Sequence, residues 1–240
     1  MSQNPELRIH ADADAVAAEA AVLIAREARE AIAARGRFLL AVSGGRTPWV
    51  MLRALARETL PWDRIHVFQV DERVAPDGHA DRNLTHLRAS LLPQAPLPGG
   101  NIHPMPVTDP DLNAAASRYA VELEREAGQP PVLDLIHLGM GADGHTASLI
   151  PGDAALGVHD AEVAVCGVYQ GRQRLTLTYP VIDRARRILW VVTGAEKAAM
   201  LTRLLAGDRT IPAGCVIRDR AVILADREAV GGASSGEARA

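Results

Sequence analysis

Apolar residues fall along this chain in two textures. Short runs of five or six, bounded by glycine, proline or charge, alternate with longer stretches in which they recur every three or four positions. The runs have the length of buried strands and the stretches have the period of helices. Strands are predicted at 37–42 (RFLLAV), 65–70 (IHVFQV), 133–138 (LDLIHL), 163–168 (VAVCGV), 175–179 (LTLTY), 188–193 (ILWVVT) and 221–225 (AVILA). Helices are predicted at 12–35, stopped by Gly36, and at 49–60, with Thr47 as N-cap and Pro48 in the first turn. Others are predicted at 83–92, 109–127 and 196–205. Residues 93–106, with five prolines and two glycines, read as an extended surface connection. Strands alternating with helices imply an α/β fold: an open, mainly parallel, Rossmann-like sheet with helices on both faces. Strands on either side of the proline-rich segment look like members of one sheet. Residues 1–230 are therefore expected to form one domain, and 231–240 a disordered tail.

Composition narrows this picture in a few places. Aromatic residues are only 3% of the chain against 48% hydrophobic, so the core must be aliphatic. A net charge of −3 argues against nucleic acid as a partner, since a basic face is needed to neutralise phosphates. It leaves room for a small anion held by a few local cations. Cys166 and Cys215 form neither a C-x-x-C pair nor a zinc spacing, and read as reduced thiols. The start MSQNPELRIH lacks the apolar core of a signal peptide, and no run nears the ~18 apolar residues of a membrane span. A cytoplasmic protein is expected, monomeric by default.

Candidate chemistry sits where strands end. After the first strand, SGGRTP (43–48) offers backbone N–H groups at a helix N-terminus, which favours anions. Ser43, Gly44, Gly45 and Thr47 would form the cradle; a tight strand–helix turn that binds nothing accounts for the motif equally well. It is no nucleotide P-loop, lacking the lysine. It is also no nucleophile elbow, since Thr47-Pro48 puts the helix start too far beyond Ser43. After the second strand come Asp71, Glu72 and Arg73. Alone they suit a solvated charged turn; facing the same mouth as Ser43, Arg73 could bind phosphate or a sugar acid. After LDLIHL comes GMGADGHTASLIPG. Its G-x-G-x-x-G fit is discounted, because Pro151-Gly152 leaves no room for the helix a dinucleotide site needs. His145, after glycines and beside Asp143, reads as a working base, with Gly141 and Gly144 shaping the turn around the ligand. Which carboxylate orients the ring is left open. His137, inside the apolar run, reads as a core histidine. Arg174 and Lys197 singly suit surface cations; together they would supply the charge that an anion at 43–48 requires.

These motifs coincide with a family. The stretches SGGRTP, DER, GMGADGHTASL, RLTLT (174–178) and GAEKA (194–198) occur in the order found in 6-phosphogluconolactonases, which belong with glucosamine-6-phosphate deaminases in a sugar-phosphate isomerase superfamily. The chain resembles the lactonases from about residue 38 to 226. Asp-Gly-His-Thr-Ala-Ser-Leu is their pattern, where the deaminases read Gly-His-Ile-Ala-Phe-Asn-Glu-Pro. It departs from the family at Arg82, commonly a serine, and at Ile150, usually a phenylalanine. The resemblance implies hydrolysis of 6-phospho-D-glucono-1,5-lactone in the oxidative pentose phosphate pathway. It implies a phosphate held by the 43–48 loop, Arg174 and Lys197, His145 as general base, and an oxyanion met by Arg73 or by N–H groups of the 139–144 turn. An activated ester calls for no metal and no organic cofactor. Two rivals remain: deaminase-type isomerisation with Asp71 as base, and a sugar-phosphate sensor without turnover.

Overall fold

The computed structural model describes residues 5–231. The central element is β2 (Phe38–Val42), every residue of which is buried. A strand covered on both faces must be apolar on both. Accordingly Leu39 and Ala41 enter one core, while Phe38, Leu40 and Val42 enter the other. Parallel to β2 lie β3 (Ile65–Gln69) and β5 (Ile102–His103) on one side. On the other lie β6 (Leu135–Leu138), β9 (Arg187–Val192), β10 (Ala221–Asp226) and β1 (Glu6–His10). The order across the sheet is β1-β10-β9-β6-β2-β3-β5. The chain winds outward from β2 to β5, then returns to β6 and winds the other way. The order reverses between β2 and β6, and in open α/β sheets ligands bind in the crevice outside such a switch point.

One face of the sheet is covered by α1 (Ala13–Arg35), α2 (Arg46–Leu55) and α3 (Asn83–Leu91). The alanines of α1 let it lie close: Ala17, Ala20, Ala25 and Ala28 are wholly buried. Asp12 caps its start by accepting from the Ala15 N–H, and Gly36 ends it at φ 77°. The other face carries α4 (Leu112–Ala127), α5 (Tyr179–Arg184) and α6 (Ala198–Ala206). Packed into that second core is a small antiparallel sheet, ordered β4 (Asp71–Arg73), β8 (Arg172–Leu177), β7 (Val163–Tyr169).

The mainly parallel sheet covered on both faces agrees with the pattern of the sequence. One expectation is corrected: 163–168 and 175–179 do not belong with the main sheet, because β7 and β8 form a hairpin, to which β4 adds. A second correction concerns α2. It begins at Arg46 with Gly45 as N-cap, so Thr47 lies inside the helix. Strands β1, β4 and β5 and helix α5 escape the hydrophobic pattern. They are short or edge elements, and β4 is wholly charged. Apart from Gly231, the tail expected at 231–240 lies outside the described residues. No helix among these residues is long and apolar enough to cross a membrane.

Candidate active site

A cleft of about 650 Å³ opens over the carboxyl ends of β2 and β6, within the size range of small-ligand sites. Its lining includes Ser43, Gly44, Gly45, Thr47, Asp71, Arg73, Gly141, His145, Arg174 and Lys197. Ten of the twelve residues singled out in the sequence thus meet in one place. The other two, Asp143 and Gly144, lie just behind the lining.

The 43–48 loop is shaped by β6. The Ser43 N–H donates to His137 Nδ1 (3.3 Å) and its hydroxyl donates to the His137 carbonyl (3.1 Å). Ser43 therefore turns lone pairs, not donors, to the cleft, and its part as an anion donor passes to the groups after it. α2 starts at Gly45 without a side-chain cap, leaving first-turn N–H groups open to a ligand. Gly44 has no room for a side chain: a Cβ there would strike the Asn83 amide. His137 is fully buried, and burial holds its pKa down at about 3, so it stays neutral. The Thr47 hydroxyl meets that of Thr193 at 2.8 Å, tying α2 to the turn that carries Lys197. Asp226 fixes that turn by accepting the Gly194 N–H on both carboxylate oxygens (3.1 Å each). Lys197 is the chain's one lysine beside 25 arginines.

Alternation along β4 sorts the Asp-Glu-Arg triplet. Asp71 and Arg73 line the cleft; Glu72 points behind, fully buried. Glu72 accepts from Gln69 Nε2 (2.8 Å) and from the N–H groups of Arg73 (2.8 Å), Asn83 (2.8 Å) and Leu84 (2.9 Å). It therefore caps α3, whose own N-cap, Arg82, makes no cap bond. The solvated charged turn is thus overturned. Arg82 is buried too: its Nε lies 3.1 Å from Glu72, and its Nη1 donates to the Ala75 carbonyl (2.9 Å) and Asp77 (3.1 Å). This departure from the family pattern serves the loop, not the ligand.

Arg73 and Arg174 are direct cross-strand partners in β4 and β8. Like charges placed opposite one another repel. Each has a buried Nε without a partner, a group left for an anion to satisfy. Burial pulls the pKa of Arg174 down, Asp71 counters it, and Arg73 adds to it. Asp71 accepts from the Ser148 hydroxyl (2.7 Å) and from Asn83 Nδ2 (3.3 Å).

The 139–144 turn presents the histidine. His145 Nδ1 lies 2.6 Å from Asp143 Oδ1, which also accepts the His145 N–H (3.2 Å). Asp143 is thus the carboxylate that orients the ring. Burial pulls its pKa up, but the bonds and charge from His145, with the Tyr169 hydroxyl, outweigh this and hold it below the ordinary carboxyl value. At Gly141 a Cβ would collide with the imidazole. The N–H groups of Gly141 and Gly144 are spent inside the turn, on the carbonyls of His145 (2.8 Å) and Gly141 (3.0 Å). Neither is a free donor for a ligand, and Gly144 packs on Ile211 away from the cleft.

Sequence reading missed Asn83 and Tyr169. Nothing near Asn83 marks it. Tyr169 precedes Gln170-Gly171, both at positive φ, and Gly171 is a local sign of the hairpin turn that follows it.

An open α/β sheet with uncapped N–H groups, four cationic residues and an Asp–His pair round its switch point has the form of a site for a small anionic metabolite. The chain belongs to the family of glucosamine-6-phosphate isomerases and 6-phosphogluconolactonases, whose model matches residues 11–224. A 6-phosphogluconolactonase of Synechocystis sp. (strain ATCC 27184 / PCC 6803 / Kazusa) is 44% identical over 191 residues, covering 78% of this chain and 79% of that one. The crystal structure of a 6-phosphogluconolactonase from Thermotoga maritima, 27% identical, superposes with a TM-score of 0.82 over 92% of this chain and 98% of the other. A monomeric glucosamine-6-phosphate deaminase at 20% identity shares the fold, with a TM-score of 0.83 over 95% and 99%.

Proposed function

We propose that this chain hydrolyses 6-phospho-D-glucono-1,5-lactone to 6-phosphogluconate, with His145 as general base. The observation that carries this reading is the Asp143–His145 pair at 2.6 Å, on a cleft that also holds Arg73, Arg174 and Lys197. The phosphate rests against the open N-terminus of α2, with Lys197 and Arg174 as counter-charges. That anchor turns binding energy into orientation, holding the lactone carbonyl beside the imidazole. An ionised Asp143 can only accept, so Nδ1 carries the hydrogen and Nε2 is the basic atom. Nε2 takes a proton from water as the water oxygen attacks C1. The carbonyl oxygen becomes an oxyanion facing Arg73. As the C1–O5 bond breaks, the imidazolium returns the proton to the ring oxygen, leaving acid and alcohol. The names of the relatives support the substrate, and the Asp-Gly-His-Thr-Ala-Ser-Leu motif supports the lactonase branch over the deaminase one.

The test follows acid release from freshly generated lactone, corrected for spontaneous hydrolysis, together with ammonia release from glucosamine 6-phosphate. Accelerated acid release without ammonia is expected. Ammonia release would instead support isomerisation with Asp71 as base. His145→Ala should lower kcat by ~10²–10⁴ and leave KM nearly unchanged.

A further inference from the structure

We infer that Tyr169 is a positioning residue of this site, tying the Asp143–His145 pair to the guanidinium of Arg174; the inference rests on the reading of His145 as the base. Three contacts converge on this side chain. Its hydroxyl donates to Asp143 Oδ2 at 3.0 Å, the oxygen that His145 does not use. Its ring meets the imidazole edge-to-face, with centroids 5.3 Å apart. Its face lies under Arg174, whose guanidinium carbon is 5.0 Å from the ring centre. The Tyr169 carbonyl also accepts from Arg174 Nη2 at 3.4 Å.

The backbone explains how one residue reaches both groups. Cys166 pairs with Arg174, and regular pairing would then set residue 168 opposite Arg172. Instead Tyr169 pairs with Arg172, so β7 carries one extra residue in this interval. Such a bulge re-aims a side chain. It puts Tyr169, not Val168, on the face shared with Arg174, and leaves Val168 70% exposed. The Gln170-Gly171 turn then closes the hairpin directly after Tyr169, holding the ring at the rim.

The consequence is electrostatic as well as steric. A hydroxyl donating to Asp143 draws charge from the carboxylate that faces His145. Without it, Asp143 would hold the imidazolium more strongly, and the base would be protonated to higher pH. The other charged residues lining the cleft with His145 are Asp14, Arg46, Asp71, Arg73, Arg174, Glu196, Lys197, Asp226 and Glu228.

The experiment compares wild type, Tyr169→Phe, Tyr169→Ala and His145→Ala. The readouts are kcat and KM across pH, thermal unfolding, and the low-field proton signal of the His145–Asp143 hydrogen bond. For Tyr169→Phe, which keeps the ring, kcat should fall about 3- to 10-fold with KM held within about two-fold. The acid limb of its kcat/KM profile should move up by about half a unit, and the low-field signal should shift. Tyr169→Ala should in addition raise KM about 2- to 5-fold, as Arg174 loses its platform. An unmoved proton signal in a folded Tyr169→Phe variant overturns the inference, whatever the kinetics. So does an unchanged acid limb when His145→Ala is inactive. Full turnover by His145→Ala removes the base assignment instead, and the proton signal alone then decides whether Tyr169 orients the pair.

Discussion

Replacing Asp143 by asparagine tests how the histidine is held. In the Ser-His-Asp triad the same substitution puts the imidazole in the wrong tautomer and costs about 10⁴ in rate. The geometry here argues for a milder outcome. The Oδ1 position faces two donors, Nδ1–H and the His145 N–H at 3.2 Å, whereas Oδ2 faces the Tyr169 hydroxyl, which can also accept. The amide oxygen should therefore stay at Oδ1, with the NH2 turned to Tyr169 and the tautomer preserved. What is lost is the charge. A unit charge at about 4 Å is worth ~1 kcal/mol in water and ~4 kcal/mol at a protein surface. The Asp143 side chain is 38% exposed, so about 2 kcal/mol is a fair value. That corresponds to a fall in kcat of about 10- to 100-fold. The acid limb of kcat/KM should move to lower pH by about 1.5 units, because the imidazolium loses its counter-charge. Stopped-flow proton release from fresh lactone between pH 5 and 8 measures both. An unchanged limb and rate would refute the pairing. A 10⁴-fold loss with the limb in place would refute the orientation argued for the amide.

Arg174→Met should raise KM at least about 10-fold, since it removes a counter-charge, yet leave the thermal midpoint level or higher, because it also relieves the repulsion across β4 and β8. A steep loss of stability would show that the two arginines are not in conflict in the free protein. Glu72→Gln should cost about 3–5 kcal/mol in urea unfolding, because it removes the buried charge facing Arg82 and presents an NH2 to a shell of donors; a loss under about 1 kcal/mol would contradict that. His137 stays neutral when folded, with its pKa held to about 3, but titrates near 6.5 when unfolded. The unfolded chain then binds the extra proton, so stability must fall as pH drops from about 6.5 toward 3. About 1.6 kcal/mol of that should appear between pH 6.5 and 5. Urea midpoints at the two pH values check it, and His137→Asn should flatten the slope.

The parallel sheet was legible because its strands are buried on both faces and read as unbroken apolar runs. The small sheet was not. Asp71, Glu72 and Arg73 look like a solvated turn until β8 is known to lie beside them, for their hydrogen bonds come from residues 69, 83, 84 and 148. The site was legible at His145, Asp143 and the 43–48 loop, where glycines mark the points at which backbone and side chain crowd together. Asn83 carries no such local mark, and the turn glycine Gly171 near Tyr169 marks a hairpin, not a site. One matters through contact with Asp71 and Gly44, the other through a bulge in β7, and both are set by pairing between distant segments.

The most direct measurement is the rate of acid release from freshly prepared 6-phosphogluconolactone by purified wild-type and His145→Ala protein, each corrected for spontaneous hydrolysis. Acceleration by the wild type and a ~10²–10⁴-fold lower kcat at nearly constant KM in the variant are expected. No acceleration by the wild type would contradict the lactonase assignment, and equal rates for the two proteins would contradict the role of His145.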